Sequence, residues 1–517
     1  MAVRTVRPGP RRTARRLALA AFLVYAATGG GRIVGSDEVT MYEVSRALLA
    51  GRVAVPEGAT LRGADGRHYS KNAAAQAVLA LPLVAVGEAV AAAAPLPAER
   101  RTLVARFVAS FFNAAVSAAL LGAFYALARA LGAGPGPALA AALMLGFATP
   151  LWPYAKSWMA EPLQALGLLL ALGGAALAWR PAPGAPRLAG LGALIAVSAK
   201  LSMLPLAVAC LVPLAGRPWR EWRWPLGGLA LAGAGHLAYN VARFGTPLET
   251  GYGAQAGPGA WSTPLAVGVY GLLLSSGKGV AWFAPPVWLA VAGWTRLRRA
   301  SGGERSPLAQ ARRRAALGIA AAWAVALALF GTFEHWAGDG SFGPRYLLPV
   351  LPAALLAVAF ALEGAPRARR RLAWALAVAG ALVQVGGVFI YFGAQMREAG
   401  DYPYTLPLGH PRFMSDSHFN PAFSPIAGHW RMLARNAAEH LAGRVPRLAG
   451  GGAPDPRLGV GEADQRALLG GLDVWWLYAV YAGVPPAAPA AALAALLALA
   501  AWAAARARAA WRAEGAA

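Results

Sequence analysis

The chain is 517 residues long, with 57% hydrophobic and 14% charged residues and a mean hydropathy of +0.46, which excludes an ordinary soluble globular protein and points to a polytopic, all-α membrane protein. The net charge of +25 would suggest nucleic acid in a soluble chain, but here the arginines form short runs between apolar segments, as in cytoplasmic loops, so nucleic acid is excluded as a partner. Cys210 is the only cysteine, which removes internal disulfides and cysteine-based metal sites.

Arg4, Arg7, Arg11, Arg12, Arg15 and Arg16 precede an apolar run from Leu17 to about Gly35. No small-x-small cleavage site follows, so the run reads as a retained first helix rather than a signal peptide. An acidic stretch comes next, and then Asn72 to Pro95. The Gln76, Pro82, Glu88 and weakly apolar alanines of this segment suit a juxtamembrane helix lying in the interface better than a crossing. Further spans are predicted over residues 103–131, 137–151, 162–179, 187–200, 202–215, 225–241, 279–296, 315–333, 346–363, 372–394 and 486–506, giving about twelve transmembrane helices.

Parity tests that reading. With an inside N-terminus, Arg129, Arg180, Arg187, Arg217, Arg220, Arg223, the run 296–314, Arg367 to Arg371 and Arg506 to Arg512 all fall in the cytoplasm, together with both termini. The opposite, outer face collects residues 36–102, 152–161, 242–278, 334–345 and 395–485, with every histidine except His236. Three regions follow: a core over 1–394 that includes the outer loop 36–102, an outer-face region over 395–485 long enough for a small lid, and a last helix with a cytoplasmic tail over 486–517.

The candidate chemistry lies on that outer face. Asp37 and Glu38 share it with Glu161 in "YAKSWMAEP". Carboxylates at a membrane boundary are costly to desolvate; where they converge they act as bases, bind metals or pair with arginine. For Asp37 the alternative is a helix cap, since Ser36-Asp37 is also a good helix start. Glu38 and Glu43 carry a structural reading beside the functional one.

Lysine is rare, with Lys71, Lys156, Lys200 and Lys278 as its only instances among 48 basic residues. Lys71, Lys156 and Lys278 fall on the outer face, where the positive-inside rule does not account for them. A compact ammonium there suits a phosphate at the interface, or serves as a headgroup anchor. Lys200, at the end of a span, reads as snorkelling. In "FEHWAGDGSFGPRY", Glu334, His335, Asp339 and Arg345 gather charge at two helix mouths. Arg345 is suited to bidentate contact with a lipid phosphate or to an internal ion pair, and Trp336 and Tyr346 to an interfacial belt or a sugar platform. His410, His418, His429 and His440 match no zinc spacing; no metal site and no cofactor is predicted, and a divalent ion has no support in the sequence.

"DEVTMYEVSRALLAGRVAVP" followed by "GADGRHYSK" resembles the first outer loop of integral-membrane glycosyltransferases that use polyprenyl-phosphate sugars, the superfamily of glycosyltransferase family 39, aminoarabinose transferases and protein O-mannosyltransferases. "FGPRYLLPVLP" and "YNVARFGTPLETGY" are similar to segments of bacterial members. The resemblance spans roughly residues 1 to 370. It implies a C-type glycosyltransferase-like fold in a bacterial plasma membrane and transfer of a hexosyl or pentosyl group from a polyprenyl-phosphate donor. By the resemblance Asp37 is the catalytic carboxylate and Glu161 its partner, with Lys71 and Arg345 on the phosphate side and Glu38, Tyr69 and His335 as further substrate contacts. The chain departs from the family in reading "KNAA" over Lys71 to Ala74 where a KPPL-type sequence is usual, and in carrying Glu rather than Asp at position 161. The competing classes are a glycolipid transporter or flippase and a non-catalytic glycolipid-binding scaffold. The absence of an inverted repeat and of charge at mid-membrane argues against transport.

Overall fold

A computed structural model describes residues 9–58, 60–299, 306–338, 340–398, 418–448 and 461–516. Arg4, Arg7, Asp339 and His410, named above, lie outside them. The described chain is almost wholly helical: α1 (Pro10–Ala27), α2 (Ser36–Leu49), α3 (Ala75–Leu79), α4 (Leu81–Ala93), α5 (Ala98–Ala109), α6 (Phe112–Ala130), α7 (Pro135–Phe147), α8 (Leu151–Ala155), α9 (Glu161–Leu177), α10 (Ala185–Ala199), α11 (Leu204–Leu211), α12 (Trp219–Phe244), α13 (Leu265–Leu274), α14 (Val280–Phe283), α15 (Ala290–Arg299), α16 (Pro307–Thr332), α17 (Leu351–Leu362), α18 (Arg367–Phe389), α19 (Phe392–Glu398), α20 (Pro425–Leu441), α21 (Glu462–Gln465), α22 (Trp475–Tyr481) and α23 (Ala487–Gly515). One small antiparallel hairpin, β1 (Leu61–Arg62) with β2 (His68–Tyr69), interrupts them.

Among the described residues, five helical segments are long and apolar enough to cross a membrane: Arg100–Ala130, Pro307–Thr332, Arg345–Leu362, Arg367–Phe389 and Ala487–Gly515. The predicted span 225–241 lies in the 26-residue α12, which is not among these five, and the remaining predicted spans correspond to shorter or broken helices. The first helix ends at Ala27 instead of near Gly35, because Gly29, Gly30 and Gly31 follow and Gly31 takes a left-handed φ of 66°. The span expected over 279–296 is broken at Pro285 and Pro286, which cannot donate the helical hydrogen bonds. The outer segment 242–278 holds the unforeseen apolar helix α13. A Cβ on its Gly268 would stand 1.9 Å from the Gly331 carbonyl, so α13 packs backbone to backbone on the end of α16. Ten residues rise only about 15 Å, too short to cross.

The bundle has two chemically distinct ends. At one, Glu514 near the C-terminus accepts hydrogen bonds from Thr13 at 2.7 Å, Tyr125 at 2.8 Å and Arg129 at 2.5 Å, so both terminal helices meet there. Arg312 donates to the Leu131 and Gly132 carbonyls, Arg180 to the Ala130 carbonyl, and Arg314 stacks on Trp179. The arginine runs that parity puts together in the sequence do share one end.

The opposite end holds α2 to α5 and the loop 156–160. Tyr42 donates to Glu88 at 2.9 Å, Arg46 pairs with the same glutamate at 2.8 Å, and the Trp158 indole donates to the Ala109 carbonyl at 2.7 Å. These contacts tie α4 to α2 and loop 156–160 to the end of α5. Residues 461–481 dock there too. Asp473 pairs with both Arg32 and Lys156, the latter at 2.7 Å, and Trp475 and Trp476 donate to the last carbonyls of α1.

Candidate functional site

Loop 156–160 is the anchor of the site. Asn113 donates to the Ser157 and Met159 carbonyls, both at 2.7 Å, and Gln76 donates to the Trp158 carbonyl at 2.5 Å. The Trp158 amide donates to Glu38 Oε1 at 2.7 Å, while Glu38 Oε2 accepts from the Gly35 amide at 2.9 Å. Glu38 therefore closes the first turn of α2 in the manner of a capping box and keys that turn to the loop. Burial pushes its carboxyl above the usual carboxylate range, partly opposed by those amides. With Glu38 turned inward, Asp37 turns the other way, 28% exposed.

Asp37 Oδ1 lies 3.9 Å from Lys71 Nζ and 3.4 Å from the Asn72 side-chain amide. Asn72 also accepts from the Tyr252 hydroxyl at 3.4 Å. Two ammonium groups lie near the Tyr252 ring, Lys71 Nζ 5.6 Å and Lys200 Nζ 6.0 Å from its centroid. Lys200 is in turn 5.7 Å from the centroid of Tyr346, which stacks on Phe330. Beside it, Arg345 Nε donates to Glu161 Oε1 at 2.5 Å, and Glu161 is 3% exposed. Glu161 Oε2 is buried and has no hydrogen-bond partner among the described residues.

Three cations and two carboxylates thus converge from segments scattered between α2 and the start of the Arg345–Leu362 span. The excess positive charge suits an anion. Burial, reinforced by Arg345, lowers the Lys200 ammonium to about 8, against the pull of Glu161 and Asp37. Burial pushes the Tyr252 phenol up to about 12, so it stays a donor at neutral pH.

A solved structure is similar to this chain. It is the crystal structure of ArnT from Cupriavidus metallidurans bound to undecaprenyl phosphate, at 17% identity and a TM-score of 0.43, the match covering 82% of this chain and 70% of that one. No protein-family model and no curated protein matches the chain. A likeness of that degree assigns no residue a role.

Of the seven candidates named from sequence, Asp37, Lys71, Glu161 and Arg345 come together. Glu38 spends both carboxylate oxygens on backbone amides. Tyr69 donates to Asp65 within the hairpin at 2.8 Å and packs its ring on Phe244 at the end of α12. His335 faces Glu334 and Gln255, each at 3.2 Å, and its ring meets Phe333, which in turn meets Tyr346. The phosphate reading also fails for Lys156, held by Asp473 and the Val388 carbonyl, and for Lys278, which is buried and donates to the Ser341 carbonyl at 2.6 Å. Trp336 is neither belt nor platform, since it is fully buried against Gly271.

Lys200, Asn72 and Tyr252 were missed. The signal for Lys200 lay in the parity argument itself: the spans 187–200 and 202–215 must turn on the outer face, which puts Lys200 there with Asp37.

Proposed function

We propose that the chain is a glycosyltransferase that moves a sugar from a polyprenyl-phosphate donor to an acceptor hydroxyl. The observation that carries this reading is the meeting of a partly exposed carboxylate, Asp37, with Lys71, Lys200 and Arg345 in one half-buried cluster. Donor phosphate sits between Lys71 and Lys200, while Arg345 is held in place by Glu161. Asp37 takes the proton of the acceptor hydroxyl as its oxygen bonds to the anomeric carbon. The bond from that carbon to the phosphate oxygen breaks, and the leaving phosphate keeps the electron pair under the neighbouring cations. The positive-inside rule puts the arginine end and both termini in the cytoplasm of a plasma membrane and turns the cluster outward. A lipid-linked donor then enters between helices with its phosphate at the interface.

The test is turnover of a radiolabelled polyprenyl-phosphate sugar by the purified full chain in liposomes. Release of free polyprenyl phosphate with sugar on an acceptor, lost in Asp37→Asn, supports the reading. Movement of intact donor between leaflets without cleavage would make the chain a flippase, and binding alone would make it a scaffold.

A further inference from the structure

Far from the Asp37 cluster, the sequence of α15 sets Val291, Trp294 and Arg298 at i, i+3 and i+7, on one helix face that is apolar at its start and basic at its end. Val291 is 72% exposed and Arg298 is exposed as well. Beneath this face the helix has almost no thickness: a Cβ on Gly293 would stand 1.8 Å from the Ala357 carbonyl, so the backbones of α15 and α17 touch. The shallow floor that results, made of Ala354 and Ala357, is walled by Trp294 and by Ile319 and Trp323 of α16. It encloses a groove of about 270 Å³ with an almost wholly apolar lining. That is below the roughly 300 to 1,000 Å³ of ordinary small-molecule pockets, a size for one narrow chain rather than a ring system.

Past Trp294, which lines the groove, the last turn of α15 is basic and forms its mouth. The Arg298 guanidinium stacks on Trp294 at 5.3 Å from the ring centroid, which fixes its plane and leaves its N–H edge to meet a ligand. Arg299 follows it. Arg296 is committed to the Phe360 and Ala361 carbonyls, closing the end of α17. This mouth belongs to the arginine end, because Arg296 also donates to the Glu363 carbonyl and the Glu363 carboxylate accepts from the Gly134 amide at the start of α7.

We propose that this groove holds one acyl chain of an anionic glycerophospholipid, with the lipid phosphate at Arg298 and Arg299. Charge complementarity favours that occupant. A zwitterionic lipid has no net charge for the arginines to meet. A polyprenyl-phosphate donor seated here would place its phosphate at the wrong end of the bundle. A second copy docked about a two-fold axis would bring the arginines against their own kind.

The experiment is native mass spectrometry of the detergent-purified full chain after incubation with equal amounts of dioleoyl-phosphatidylglycerol and dioleoyl-phosphatidylcholine. Wild type retains the glycerol lipid preferentially, and the double variant Arg298→Gln/Arg299→Gln loses about fivefold of that preference for each arginine removed. Ala320→Leu, which fills the groove, reduces retention of both lipids while elution and thermal midpoint stay as in wild type. If it fails that folding check, Ala290→Leu on the facing wall serves instead. Equal retention of the two lipids by wild type, undiminished retention in the filled variants, displacement of phosphatidylglycerol by added undecaprenyl phosphate, or a dimer that the filled variants abolish would each overturn the proposal.

Discussion

Glu161 and Arg345 lie 184 residues apart in sequence and meet at 2.5 Å, with side chains only 3% and 15% exposed. One begins a helix and the other ends a glycine-rich loop, so the pair pins two elements of the bundle together at the edge of the proposed donor site. Removing one member leaves the other charged and buried, which costs about 3 to 5 kcal/mol. Glu161→Ala and Arg345→Ala are each expected to lower the thermal midpoint by that order, and the double variant to recover part of the loss. Melting curves of the three purified proteins form the cycle; simple additivity would show that the pair is not coupled.

Asp37 is different in kind. Partly exposed and 3.9 Å from Lys71, it contributes no more than about 1 kcal/mol to folding. Asp37→Asn should therefore melt like wild type and lose turnover by about 10²- to 10⁴-fold, the usual reach of a general base. An active Asp37→Asn protein would remove the base from the proposed mechanism.

Lys200 gives the site a pH limit. With its ammonium lowered to about 8, the charge is present at neutral pH and lost as pH rises through that value. Donor KM should rise between about pH 7 and 9. Lys200→Gln should be weak throughout and lack that limb, whereas Lys200→Arg, charged across the range, should keep tight binding at pH 9. The same shift has an opposite effect on stability: the unfolded chain binds the proton more tightly, so the fold gains stability as pH rises from about 8 to about 10.4.

Glu38 tests positioning rather than chemistry. Glu38→Ala leaves the Gly35 and Trp158 amides without their acceptor and should cost about 1 to 3 kcal/mol. Glu38→Gln keeps one acceptor oxygen and should fall between. If the loop between Lys156 and Ala160 sets the bearing of Asp37, kcat should fall with stability in this series while KM changes little.

Much of this arrangement was legible in the sequence, for physical reasons. The dense arginine runs between apolar segments are countable, so the gathering of Arg129, Arg180, Arg312 and Arg314 at one end of the bundle could be read from charge alone. Asp37, Glu161, Lys71 and Arg345 were visible because a charge beside an apolar run is costly without a use. What escaped depended on distant backbone. Lys200 acquires its meaning from Tyr252 and Tyr346, far along the chain. Asn72 looked like a departure from an expected proline, yet its amide is what steadies Asp37. Glu38 looked like half of a functional pair, and only the position of the Trp158 amide shows that it faces inward. Pro285 and Pro286 sat inside an apolar run whose hydropathy hid the break.

The union of Thr13 with Glu514 spans 501 positions of chain. During synthesis Thr13 of α1 is without this partner until α23 has been made. This contact therefore forms only after every helix between α1 and α23 has been made. A ribosome stalled before α23 would leave a protein with its Asp37 cluster already encoded and its opposite end still open, a natural target for membrane quality control.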